Sequence, residues 1–129
     1  MKTLSIEATK STPSVVMNAE THQIMLNGES YPENTGEFYE AFFNWLSAYL
    51  KKEYEETLTV NIELTYFNSS SSKTLMDLFD LLEEKSEGGK DIVVNWHYHS
   101  ENDMVEEYGE EFQEDMEELK FNLVPIEEE

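Results

Sequence analysis

"TLTVNIELTYFNSSSSKTLMDLFDLL" (residues 57–82) changes its period half-way along. In its first part Leu58, Val60, Ile62 and Leu64 alternate with polar residues, and the β-branched and aromatic content is that of a strand. In its last part Leu75, Leu78, Phe79 and Leu82 recur at helical spacing. Between the two stand Asn68 and four consecutive serines, Ser69 to Ser72. A strand that passes through a short polar turn into an amphipathic helix is half of a crossover unit, so this stretch predicts an α/β fold with a largely parallel sheet.

The same pattern extends in both directions. Towards the N-terminus, "TLSIEAT" reads as an edge strand, and "SVVMN" and "QIMLNG" read as a β-hairpin. "GESYPEN" reads as a turn. Asn34 and Glu37 then have the spacing of a capping box, ahead of a first helix whose apolar face is Phe38, Phe42, Trp45, Leu46, Tyr49 and Leu50. Lys51 and Lys52 follow where the helix dipole favours cations. The second helix is expected over residues 70–85, with Gly88 and Gly89 as its stop. Towards the C-terminus come a strand over 91–98, with Ile92, Val94, Trp96 and Tyr98 on one face, and a third helix over 102–119, with Val105, Tyr108, Phe112, Met116 and Leu119 inward. A last strand over 120–126 precedes an acidic end. The order is hairpin, α, β, α, β, α, β, with no internal repeat and no linker, and it predicts one domain over residues 1–129.

Composition narrows the function. The chain has 29 acidic and 8 basic residues, a formal net charge of −21, which disfavours nucleic-acid backbones and anionic membranes and favours basic partners. With no cysteine there is neither a disulfide framework nor a thiolate metal site. The start, "MKTLSIEATKSTP", lacks the apolar core of a signal peptide, and no run approaches membrane-spanning length, so the reading is a cytoplasmic protein.

One serine, Ser69 or Ser70, would suffice to cap the second helix. Four exceed that need, and a helix N-terminus also stabilises a phosphate, with Lys73 one turn in. The serine turn therefore reads either as a cap or as a site that holds or receives phosphate.

"YFNSSSSKTLMDLFDLLEE", together with "STPS" near the start, "GESYPEN" before the first helix and "WHYH" after the second, resembles the SiaC family of bacterial regulatory phosphoproteins. The resemblance covers nearly the whole chain, with the motifs in the family's order. It implies a fold similar to STAS domains, the class of anti-sigma-factor antagonists, with no catalytic residues and no cofactor. It further implies a switch. A Ser/Thr kinase with a histidine-kinase-like fold phosphorylates the hydroxyl after the turn Asn, and a PP2C-type phosphatase reverses this. The unmodified form binds an output protein such as a diguanylate cyclase that makes cyclic di-GMP. By position the acceptor is Ser69, with Ser70 second; the family often has Thr here. Asn68, Ser70, Ser71, Lys73 and Tyr31 are the expected partner-binding residues. The rival reading is a constitutive binding module, or an anti-sigma-factor-antagonist-like regulator, whose serine turn is only a cap.

Two other constellations stand out. His97 and His99 share a strand face near Glu101 and Asp103, but without a third fixed ligand they predict no metal site. Residues 101–129 hold 13 of the 29 acidic residues against one Lys, which reads as a solvated face or as a docking surface for a basic partner. No glycine-rich phosphate loop or nucleophile elbow is present, and no enzyme is expected.

Overall fold

Parallel strands joined by helices must return across the sheet, and the right-handed preference of such crossovers puts successive helices on the same face when the strands are laid down in chain order. This chain does so. The computed structural model describes residues 1–127 and contains β1 (Leu4–Ile6), β2 (Ser14–Asn18), β3 (Gln23–Ser30), α1 (Thr35–Leu50), β4 (Leu58–Phe67), α2 (Ser69–Glu87), β5 (Ile92–His99), α3 (Asp103–Glu114) and β6 (Lys120–Ile126). The strands form one six-stranded sheet in the order β1-β2-β3-β4-β5-β6. The first three pair antiparallel and the rest parallel, as the hairpin and the alternating elements predict. Glu128 and Glu129 of the expected acidic end lie outside the described residues.

Burial alternates along β2, β4 and β5, so one face of the sheet is covered and the other is not. Val15, Leu26, Val60, Ile62, Val94 and Trp96 point to the covered face, where they meet Phe42, Leu46, Leu78, Phe79 and Phe112 of the helices. Trp45 and Phe42 are buried as expected; Phe38 and Tyr108 are only half-buried. No helix among the described residues is long and apolar enough to cross a membrane.

The aromatic half of the core is tightly assembled around Trp96. Its Nε1–H donates to the Val105 carbonyl at 3.0 Å, and Gly109 on α3 lets the helix approach the indole. A Cβ at Gly109 would fall 2.5 Å from Trp96 Cδ1 and 2.8 Å from Leu123 Cδ2. Helix propensity alone favours Gly109→Ala by roughly 1 kcal/mol, whereas overpacking costs about 1–3 kcal/mol. The clash should win, so denaturant melts of Gly109→Ala should show net destabilisation; a more stable variant would contradict this packing.

Several boundaries differ from expectation, each for a local reason. β3 runs on to Ser30, two residues into the predicted turn, because Glu29 and Ser30 pair with Tyr66 and Phe67 of β4. The register there shifts by one, leaving Thr65 as an extra residue. This bulge inverts the alternation, so Phe67 is buried and Tyr66 is 48% exposed. The third helix stops at Glu114, not Leu119, so Met116 and Leu119 pack from the following turn.

What ends α3 is a carboxylate from another helix. Glu83 of α2 accepts the amides of Glu117 (2.9 Å), Glu118 (2.9 and 3.0 Å) and Leu119 (3.0 Å). Partial desolvation works to raise the Glu83 pKa, but the amides of Leu119, Glu118 and Glu117 and the Glu87 side chain outweigh it and hold it below the ordinary carboxylate value. A depressed carboxylate contributes stability above its unfolded pKa and loses it as pH falls through the folded value. Thermal unfolding of wild type should therefore weaken more steeply on acidification below the usual carboxylate range than that of Glu83→Gln. Parallel pH profiles of the two would refute the assignment.

Candidate functional site

The parallel strands β3, β4 and β5 all end at one rim of the sheet, and α1, α2 and α3 all begin there. Each start is capped by an asparagine. Asn34, Asn68 and Asn102 accept the amides of Glu37, Ser71 and Val105 through their side-chain oxygens. The positive dipole ends and free amides of all three helices therefore face one rim of the sheet.

The serine turn lies at the middle of this rim, and the structure gives each serine a different position. The cap of α2 is Asn68, not Ser69 or Ser70: Asn68 Oδ1 takes the Ser71 amide at 2.9 Å, and the Asn68 carbonyl takes the Ser72 amide at 2.9 Å. All four serines are consequently inside the first turn of the helix. Ser71 is 1% exposed, and its hydroxyl bonds to Ser30 Oγ at 2.8 Å, which in turn bonds to the Tyr39 hydroxyl at 2.6 Å. Burial pushes the Tyr39 pKa up, only partly offset by the bond to Ser30, so Tyr39 stays protonated. Ser71 was expected to touch a partner, and this correction follows from its orientation: it points into the core and holds α2 to β3.

Ser70 is exposed, but its hydroxyl is shared with Thr35 Oγ1 at 2.8 Å and Asn68 Oδ1 at 3.2 Å. Ser69 is exposed and, among the described residues, its hydroxyl has no hydrogen-bond partner. Lys73, one turn on, is exposed as well. Tyr31, half-buried, stands edge-on to Tyr66 with ring centroids 5.7 Å apart, so an aromatic pair sits at the strand ends just before the turn. The residue pattern alone did not mark Tyr66, because unbroken alternation would put it on the covered face with Leu64. Thr35 was also missed, since its link to Ser70 joins positions far apart in the chain.

Chemically, no base among the described residues is bonded to Ser69, so none of them activates it as a nucleophile. A phosphoryl group there would meet the positive end of the α2 dipole.

Among the described residues, no three or more His, Asp or Glu side chains are arranged to hold a metal ion. His97 is instead engaged with Asn61, donating Nε2–H to Asn61 Oδ1 at 3.2 Å, since a carbonyl oxygen can only accept.

A family model described as "SiaC family regulatory phosphoprotein" matches residues 6–126. The chain belongs to the SiaC family. An uncharacterised protein of Pseudomonas aeruginosa strain UCBPP-PA14 is 37% identical to it over 115 residues, 89% of this chain and 90% of that one. The solved structure of SiaC of Pseudomonas aeruginosa superposes with a TM-score of 0.85 at 34% identity, covering 99% of this chain and 100% of the other. A second structure, the diguanylate cyclase SiaD in complex with its activator SiaC from the same organism, contains a chain that matches at TM-score 0.86 and 34% identity, covering 97% and 99%. The mixed sheet with three helices is thus the SiaC fold, and the chain belongs with regulatory phosphoproteins.

Proposed function

We propose that this chain is a non-enzymatic partner switch controlled by phosphorylation of Ser69. Unmodified, it binds and activates an output protein, a diguanylate cyclase by analogy with the relative found in complex with one. A Ser/Thr kinase of histidine-kinase-like fold adds the phosphate and a PP2C-type phosphatase removes it. The observation that carries the reading is the inequality of the serines. Ser71 is buried, Ser70 is tied to Thr35 and Asn68, and Ser69 presents at the surface a hydroxyl unbonded among the described residues. Its neighbours suit a contact that charge can break: the exposed Tyr66, Tyr31 beside it, and Lys73. A phosphate adds about −1.5 to −2 charge and three strong acceptor oxygens at that point.

The test is site-resolved phosphopeptide mapping after co-expression with the cognate kinase. One phosphate on Ser69, lost in Ser69→Ala, supports the reading. Modification confined to Ser70 would move the acceptor by one residue. No kinase-dependent phosphate at all would leave a constitutive binding module with a capped helix.

A further inference from the structure

The helix-free face of the sheet is unlike the rest of the molecule. Although the chain carries a net charge of −21, the strand residues on this face include only Glu29, Glu63 and Lys120 as charged groups. Charge depletion of this kind marks the core of protein interfaces. Several of the polar side chains that remain are paired sideways. Asn61, Asn95 and Asn122 are in register on three neighbouring parallel strands. Asn122 Nδ2 donates to Asn95 Oδ1, and Asn95 Nδ2 donates to Asn61 Oδ1, both at 3.1 Å. Asn95, bonded on both sides, can be covered at less cost than a free amide, whereas Asn61 Nδ2 and Asn122 Oδ1 at the ends of the ladder would need a partner across the contact.

We propose that this face is where a second copy of the chain docks, in a two-fold contact centred on Met25. Three observations favour a second copy. Two molecules of this charge can approach closely only where carboxylates are scarce, and on this face just two strand carboxylates are present. A two-fold contact is self-complementary, so a projection and a recess on the same surface can fit one another across it. Met25, 44% exposed, stands at the edge of a hollow of about 290 Å³ lined also by Asn27, Asn61, Glu63 and His97, and Val16, 39% exposed, is its cross-strand neighbour. The size is adequate. Six strands about 4.8 Å apart and ~7 residues long at about 3.3 Å per residue give a projected area of roughly 500–600 Å². That is somewhat below the ~800 Å² per partner of a standard interface, which points to a weak dimer. The proposal does not depend on the phospho-switch, whose rim lies at the ends of the strands.

Sedimentation equilibrium of the unphosphorylated full chain provides the test. Dimerisation should appear in the range of about 1–100 μM. Raising salt from about 0.05 to 0.5 M should tighten it at least tenfold, because screening removes the repulsion between the two acidic bodies. Met25→Glu or Val16→Glu should weaken the dimer at least tenfold with unchanged circular dichroism, whereas Met104→Glu, at an exposed position on α3 away from this face, should leave it unaltered. A monomer throughout the range at both salt concentrations would overturn the proposal. So would a dimer indifferent to both Met25→Glu and Val16→Glu.

Discussion

Phosphorylation of Ser69 should weaken binding of the output partner by tenfold to over a hundredfold, the value of losing one good interface contact of about 1–3 kcal/mol. Ser69→Ala should bind the partner as wild type does, since among the described residues the hydroxyl bonds to nothing, and should stay bound in the presence of the kinase. Ser69→Glu should fall between the two, because a carboxylate supplies about one charge where a phosphate supplies up to two. Affinities of these forms at two salt concentrations would also separate the causes. If the phosphate repels acidic groups of the partner, the gap narrows as salt rises. If it blocks the Tyr31–Tyr66 surface sterically, the gap stays. Equal affinity of modified and unmodified protein would sink the switch.

The second large effect is on stability. Phe79 is fully buried, with ring centroids 5.0 Å from Phe121, 5.1 Å from Phe112 and 6.3 Å from Trp96, each in edge-on geometry. It fastens α2 to α3, β5 and β6 together. Phe79→Ala should cost about 3–5 kcal/mol, combining lost burial with a cavity that these three rigid neighbours cannot easily fill. Phe79→Leu should cost much less. Denaturant unfolding that shifts by less than about 1 kcal/mol for the alanine variant would mean that this cluster is not the centre of the core.

How far the sequence could be read follows from the range of the interactions involved. Alternation in residues 57–64 and 91–98 and the helical stripes at Phe42–Trp45 and Leu78–Phe79 are local patterns, and each found its face. The Thr65 bulge is not local: it depends on how β3 pairs with β4, so the period broke at Tyr66 without a sign in the residues. The end of α3 was hidden for a similar reason. Asp115 to Glu118 suit a helix, and only Glu83, from another helix, claims the amides that follow. Within the serine turn, composition indicated a helix head with hydroxyls to spare. It did not reveal that Ser71 faces Ser30 or that Ser70 meets Thr35, since both partners lie more than thirty residues away. The chain showed no repeat by inspection, yet the fold repeats a strand, an asparagine cap and a helix three times.

The order of the sheet bears on how the molecule is made. Each strand is laid beside the one synthesised just before it, so none has to wedge between two that are already paired. A chain emerging from the ribosome can add elements at one growing edge, with domains tending to organise from the N-terminal side. Under that order α2 and its serine turn are in place while Phe79 still lacks Phe112 and Phe121, which come from the last helix and the last strand. A chain interrupted before β6 would therefore display the serine turn on a half-closed core, with that apolar surface open to chaperones and proteases.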